Sequence, residues 1–202
     1  MKMILKDIPN VLWSTGPTDV GLLTTVEPVK IVPKSQYTPR IKQYPLKREA
    51  QEGIKPVIKN VLDAGIIRPC LDSPCNTLIF PVQKADGKNW RMIQDLRTGE
   101  LSCANARSEC LRSTHIVKHT GSGQQSFTVI DLSNAFFLVQ VHPDSQFWFA
   151  FKFKGKKYTY TRLPRGFADS PTIFTQAILT CLKSFNPKHG SQVLMYVDDL
   201  LV

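Results

Sequence analysis

The chain has 202 residues, 42% of them apolar, enough for a real core in one large domain or two small ones. Lys and Arg total 26 against 16 Asp and Glu; the net +10 points to an anionic partner, most commonly nucleic acid, with an ordinary basic domain as the plainer reading. No apolar run reaches the roughly 18 residues of a membrane span, Met1 to Asp7 is too short an apolar stretch for a signal peptide, and five irregularly spaced cysteines make no disulfide framework, so a reduced, intracellular and cytoplasmic protein is expected.

Residues 1–45 carry Pro9, Pro17, Pro28, Pro33, Pro39 and Pro45, too many for a helix, and are expected to be extended. Ala50, Ile54, Val57, Ile58, Val61 and Leu62 then predict a helix over 47–64, ended by Gly65 and kinked or broken at Pro56. Asn76 to Val82 reads as a strand, Asp86-Gly87-Lys88-Asn89 as a hairpin turn, and Trp90 to Asp95 as the partner strand.

Phe127 to Asp131 predicts a strand ending on a carboxylate, and Ser133 is placed to cap a short helix through Ala135, Phe136 and Phe137. Phe149, Phe151 and Phe153 alternate with Ala150, Lys152 and Lys154; Gly155 turns the chain, and Tyr158 and Tyr160 alternate back. That is a hairpin with an aromatic and a basic face. Lys152, Lys154, Lys156, Lys157, Arg162 and Arg165 follow one another without an acid, which fits a nucleic-acid track or a solvated strand face. Ser170-Pro171 opens a helix with Ser170 as its cap and Ile173, Phe174, Ala177, Ile178, Cys181, Leu182 and Phe185 as its buried stripe.

The run from Val193 to Val202 holds two adjacent carboxylates, Asp198 and Asp199, among apolar neighbours. Buried carboxylates are costly unless paired or metal-bound, and adjacent ones repel. No cation lies nearby in sequence. A hard divalent ion at a tight turn between two strands answers both problems; a solvated Asp-Asp turn is the alternative. Asp131 closes another strand. Neighbouring strands would gather the three acids at one sheet edge, where two magnesium ions about 3.5–4 Å apart can serve phosphoryl transfer. Beside a basic surface, this reads as nucleotidyl transfer on a nucleic-acid template.

Several segments now carry a family resemblance: Ile41-Lys42-Gln43-Tyr44-Pro45, Leu62-Asp63-Ala64-Gly65-Ile66, Gln94-Asp95-Leu96-Arg97, Val129 to Phe137, Leu163-Pro164-Arg165-Gly166-Phe167 and Tyr196-Val197-Asp198-Asp199. In this order and spacing they resemble the reverse transcriptase part of retroviral Pol polyproteins, of gammaretrovirus-type or endogenous retroviral kind. The resemblance implies an α+β fold, a right-hand polymerase fingers and palm with an antiparallel palm sheet and packed helices. Residues 46–120 would be mainly fingers and 121–202 palm. It implies an RNA-directed DNA polymerase with two Mg²⁺ (or Mn²⁺) ions on Asp131, Asp198 and Asp199. Lys84 and Arg91 match residues that grip the incoming triphosphate, Phe136 the aromatic that crowds the sugar, and Tyr196 a residue beside the primer terminus. Arg165 falls in the nucleotide-binding Leu-Pro-x-Gly motif, and Lys152, Lys154, Lys156 and Lys157 would lie along the primer and template. The implied partners are an RNA or DNA template–primer and dNTPs, with no membrane.

Two features depart from the family. Arg165 stands where related enzymes carry glutamine; arginine only donates hydrogen bonds and adds charge. Thr98 to Thr120 loses the family pattern, and a back-translation shifted by one base restores it, so two compensating frame slips are inferred and 98–120 is a candidate for disorder. Its Cys103, Cys110, His115 and His119 match no common zinc module. Val202 follows Asp199 by three residues, so a fragment lacking thumb, connection and ribonuclease H parts is expected. The alternative from another class is a non-catalytic nucleic-acid-binding remnant of an endogenous retrovirus.

Overall fold

The computed structural model describes residues 9–33, 38–97, 101–103, 128–187, 191–196 and 198–202. Where described, the proline-rich start holds a 3₁₀ turn at Asn10–Leu12, a turn closed by Asp19 N–H on the Gly16 carbonyl and the short strand β1 (Ile31–Pro33). It is bound along the second half of the chain. Leu23 N–H donates to the Leu138 carbonyl at 2.9 Å and Val29 N–H to that of Gln140 at 2.8 Å. Ile41 N–H then donates to the Asn76 carbonyl at 2.9 Å, so the segment reaches from one half of the molecule to the other.

Helix α1 (Arg48–Asp63) buries Ala50, Ile54 and Ile58 on one face, as their spacing predicts. It is unbroken through Pro56, contrary to a predicted break. Pro56 is exposed, so the carbonyl it leaves without an intrahelical partner can be hydrated. Gly65 ends the helix as expected: at φ +67° its N–H bonds the Leu62 carbonyl at 3.0 Å, and Ile66 N–H bonds that of Val61 at 2.9 Å, a Schellman closure.

Strand β2 (Ile67–Pro69) follows, then the predicted hairpin of β3 (Leu78–Gln83) and β4 (Trp90–Asp95), in register from Leu78 opposite Asp95 to Gln83 opposite Trp90. Strand β5 (Leu101–Cys103) pairs antiparallel with β1. Within the atypical 98–120 stretch only residues 101–103 are described, and they form this strand. Cys110, His115 and His119 lie outside the described residues.

The remaining elements are β6 (Val129–Asp131), the short helix α2 (Pro143–Gln146), β7 (Phe151–Phe153), β8 (Lys156–Tyr160), α3 (Ser170–Leu182), β9 (Leu194–Tyr196) and β10 (Asp199–Leu201). Antiparallel pairing gives a sheet ordered β2-β8-β7 and another ordered β6-β10-β9. Helices and antiparallel sheets thus make the expected α+β fold. Phe149 sits on a 3₁₀ turn and not on the predicted strand, though it is fully buried. Neither serine caps its helix. The 3₁₀ turn Ala135–Leu138 starts from Asn134 with no side-chain cap, and α3 from Asp169 with none. The Ser170 hydroxyl donates instead to the Pro164 carbonyl at 2.8 Å. Phe185 lies past the end of α3 and is exposed, so the predicted buried stripe ends earlier.

One apolar cluster joins both halves: Ile54, Ile58, Ile66 and Ile79 meet Phe137, Phe151, Tyr160 and Phe174. Gln94 crosses between them, its buried amide nitrogen donating to Thr77 Oγ1 at 2.7 Å and to the Phe149 carbonyl at 2.9 Å. The β3–β4 hairpin docks on α1 through Trp90, whose indole covers Gly53 so closely that a Cβ there would lie 2.4 Å from the ring. Gly53→Ala gains about 1 kcal/mol of helix propensity, but the overpacking costs about 1–3 kcal/mol. Net destabilisation in urea unfolding is expected; a more stable variant would show that Trp90 is not held against the helix.

Candidate active site

Antiparallel pairing of β6 with β10 sets Asp199 opposite Asp131, Leu200 opposite Ile130 and Leu201 opposite Val129. Directly opposed residues project from the same face, with Cβ atoms about 4.5–5.5 Å apart. On the other side of β10, Asp199 is opposite Tyr196, at the end of β9. Asp198 lies on the turn entering β10, and its carbonyl accepts from Leu132 N–H at 3.0 Å. The acids are not buried as their apolar sequence context suggests: Asp131 and Asp198 are exposed and Asp199 half-buried. Their problem is therefore repulsion and not desolvation. Like charges directly opposite each other weaken a sheet, and among the described residues no cationic side chain forms an ion pair with any of them. Among the same residues no closed set of three metal-ligating side chains forms. The arrangement is an opposed pair with a third acid on the adjoining turn. Such hard, acceptor-only oxygens, without a cationic partner there, suit a hard divalent ion.

A cleft of about 660 Å³ collects the cationic candidates. Lys84 just beyond β3, Arg91 on β4 and Arg165 all line it, together with Asn134, Phe137 and Tyr160. Among the described residues no Asp or Glu lines it. Arg165 is exposed, yet held: its guanidinium stands 5.2 Å from the Phe137 ring centroid, and its Nη2 donates to Asn134 Oδ1 at 3.1 Å. The loop carrying it is pinned by the Ser170 hydroxyl and by Gly166. At Gly166, φ is +96° and a Cβ would meet the Gln94 carbonyl oxygen at 3.0 Å, which requires glycine. Burial pushes the Tyr160 phenol well above its ordinary pKa, an effect the nearby Arg165 charge partly offsets, so Tyr160 is a neutral wall.

Phe136 does not line the cleft. It is half-buried and meets Phe174 edge-on at 5.7 Å, while the adjacent Phe137 forms the cleft wall and stacks on Tyr160 at 6.2 Å. The lysine stripe is partly engaged within the fold. Lys154 bonds Glu52 at 2.5 Å and Lys157 donates to the Ser73 carbonyl. Lys152 and Lys156 are exposed. No helix among the described residues is long and apolar enough to cross a membrane.

Residues 82–202 match the family model described as "Reverse transcriptase (RNA-dependent DNA polymerase)". The chain belongs to this family. It is 42% identical over 199 residues to the Gag-Pol polyprotein of Walleye dermal sarcoma virus, covering 98% of this chain and 11% of the polyprotein. It is 38% identical over 215 residues to that of Feline leukemia virus, covering 100% of this chain and 12% of the polyprotein. The chain thus spans about a tenth of the length of these relatives. Among solved structures it is similar to a crystal structure of the Prototype Foamy Virus protease-reverse transcriptase, with a TM-score of 0.80, 33% identity and coverage of 100% of this chain and 26% of that one. The foamy viral protease-reverse transcriptase in complex with RNA/DNA hybrid gives a TM-score of 0.82 at 31% identity, covering 99% of this chain and 26% of that one. The α+β fold described above is accordingly that of a reverse-transcriptase fingers and palm segment.

Asn134, Phe137 and Tyr160 escaped the sequence reading as site residues. Two signals were available: asparagine is one of the few residues that tolerates the left-handed region, and Tyr160 faces the same side of its hairpin as other aromatics. The hairpin tip beside Lys84 shows how the cleft edge is held. The Asp86 carboxylate accepts from the Asn89 side chain at 2.7 Å and from the Asn89 and Lys88 N–H groups at 2.9 Å. These bonds, the Asn89 side chain foremost, draw its pKa down to about 2. Their contribution to stability is complete above the ordinary value of 3.8 and is lost as pH falls through about 2. A carbon-13 titration should place the Asp86 midpoint near 2 and raise it in Asn89→Ala; an ordinary midpoint in the unmodified chain would contradict this network.

Proposed function

We propose that the chain carries the polymerase site of an RNA-directed DNA polymerase, transferring nucleotides from dNTPs to a primer on an RNA or DNA template. The cationic cleft carries this reading: it joins Lys84, Arg91 and Arg165 to Asn134, which follows Asp131 by three residues. A triphosphate suits that lining, because charge-assisted hydrogen bonds from Lys and Arg to phosphate oxygens are short and strong and no carboxylate among the described lining residues competes for them. Phe137 and Tyr160 supply an apolar wall for the rest of the nucleotide. The foamy viral enzyme bound to RNA/DNA hybrid supports a template–primer as partner.

Asp131, Asp198 and Asp199 are the residues to hold Mg²⁺ or Mn²⁺, two ions in all. When bound, such ions supply Lewis acidity towards phosphoryl oxygens and lower the pKa of an attacking hydroxyl. The chain's own part is to hold the ligands. The β6–β10 register puts two carboxylates on one face, and the turn before β10 supplies the third. Lys84 and Arg91 would fix the triphosphate from the cleft they line, which limits the approaches open to the primer hydroxyl.

Mn²⁺ titration by calorimetry should show binding that weakens about tenfold or more in Asp131→Asn and in Asp199→Asn, since each removes one anionic ligand. Equal binding by all three chains would overturn the shared acidic site. Primer extension then separates the readings: Mg²⁺-dependent incorporation abolished by Asp199→Asn supports a polymerase, and template binding without incorporation supports the non-catalytic alternative.

The lysine stripe gives an independent expectation. Affinity for duplex DNA should fall with salt, each neutralised phosphate adding about 0.9 to the log–log slope. Lys152→Ala with Lys156→Ala should flatten that slope more than Lys154→Ala with Lys157→Ala, because the latter two are engaged with Glu52 and Ser73. Equal slopes for the two pairs would place the contact elsewhere.

A further inference from the structure

Asn134 has an unusual backbone and an unusual partner. Its φ of +55° and ψ of +31° are left-handed, a conformation most side chains avoid. Its side chain does not cap the 3₁₀ turn that follows. The amide oxygen instead accepts from Arg165 Nη2 at 3.1 Å, while the amide nitrogen reaches towards the Asp19 carbonyl at 3.5 Å. An exposed arginine without such contacts samples many rotamers, and ordering it on a ligand weakens binding. Here one hydrogen bond and the Phe137 ring fix the guanidinium at the cleft wall before any ligand arrives. The guanidinium carries five N–H donors, so the bond to Asn134 leaves others free for phosphate oxygens.

We propose that Asn134 is a positioning residue for Arg165, aiming its guanidinium into the cleft beside Lys84 and Arg91 so that the three cations bind a polyphosphate chain without a divalent ion. This rests on reading the cleft as the triphosphate site, and it adds what aims the third cation and what the cleft selects. A single phosphate presents its few anionic oxygens at one point. A linear triphosphate offers anionic oxygens along its length, so chain length is the property the cleft discriminates. Among the described residues no Asp or Glu lines the cleft to neutralise the three charges.

The test is calorimetric titration of the full chain with inorganic tripolyphosphate in EDTA, with orthophosphate as the comparison. Tripolyphosphate should bind more tightly than orthophosphate. Arg165→Gln should weaken it about tenfold, as loss of a charged hydrogen-bond donor does, and Arg165→Lys less, because the charge remains. Asn134→Gly keeps the left-handed backbone open to the chain while removing the carboxamide, and should weaken binding about threefold by freeing the guanidinium. The decisive variant is the double one. If Asn134 acts through Arg165, Asn134→Gly has no further effect in the Arg165→Gln background. Independent, additive losses would overturn the proposal, as would an unchanged affinity in Asn134→Gly alone. Lys84→Ala and Arg91→Ala separate the two levels. If both weaken tripolyphosphate binding while Asn134→Gly does not, only the positioning role falls. If neither does, the cleft itself has been misread and the proposal falls with it.

Discussion

Two carboxylates opposed across a strand pair are a fixed electrostatic load, and the palm side of the molecule is arranged around it. Asp131 and Asp199 face each other only in one register of β6 against β10. A slip of one residue would send one of them to the other face of the sheet. Three features hold the register against the repulsion. Thr128 and Val202 exchange both of their backbone hydrogen bonds at 2.9 Å, the Asp198 carbonyl accepts from Leu132, and β9 covers the other edge of β10 with Met195 buried beneath it. α3 packs against β9, so the helix that anchors the Pro164 loop also backs the acidic strand pair. The loop carrying Arg165 and the acids are thereby braced by one element.

The cations are kept apart from this load by topology. Lys84 and Arg91 come from the β3–β4 hairpin, which rests on α1 through Trp90 and Gly53. Arg165 comes from a loop pressed against Gln94 of the same hairpin's second strand. The three therefore share a wall whose shape depends on packing and not on ion pairing. Elsewhere the chain does use ion pairs, Lys154 with Glu52 and Arg97 with Asp95, and those cations are withdrawn from the cleft. An exposed ion pair adds little stability. Its consequence here is for partner binding: the charges left unengaged decide where an anionic ligand goes.

Much of this was legible in the chain, and the illegible parts share a cause. The period of Ala50, Ile54 and Ile58, the stop at Gly65, the turn at Asp86-Gly87 and the strand ending on Asp131 are local signals, and the structure follows each. Failures came where a tertiary partner overrode the local rule. Ser170 looks like a cap, but the fold sets Asp169 before the helix and makes Ser170 its first residue, with the hydroxyl donating to the Pro164 carbonyl. Pro56 looks like a break, but its exposed side makes the lost hydrogen bond cheap. Phe136 and Phe137 are adjacent on a 3₁₀ turn, where successive side chains point about a third of a turn apart. Which of them reaches the cleft depends on how that turn sits on α3 and Tyr160, and no sequence pattern carries that information. The apolar neighbours of Asp198 and Asp199 leave a metal-holding turn and a solvated turn both open, and exposure is decided by the fold, which leaves Asp198 exposed and Asp199 half-buried.

Exposure of the acidic pair changes what a divalent ion means for the fold. For buried carboxylates the apo state would pay in desolvation and would shift towards protonation. For exposed ones facing each other, water screens part of the repulsion, and what remains weakens the pairing between β6 and β10. Any ion that binds only the folded arrangement then stabilises it in proportion to the logarithm of its concentration over its dissociation constant. If Asp131, Asp198 and Asp199 hold the ion as proposed, strand pairing and metal affinity become one equilibrium, because the same register that concentrates the negative charge would also create the ligand set. A substitution that relieved the repulsion by neutralising Asp131 or Asp199 would strengthen the sheet and empty the site together. The acids are therefore at odds with the stability of their own strands, the pattern expected where a local conflict is retained for chemistry.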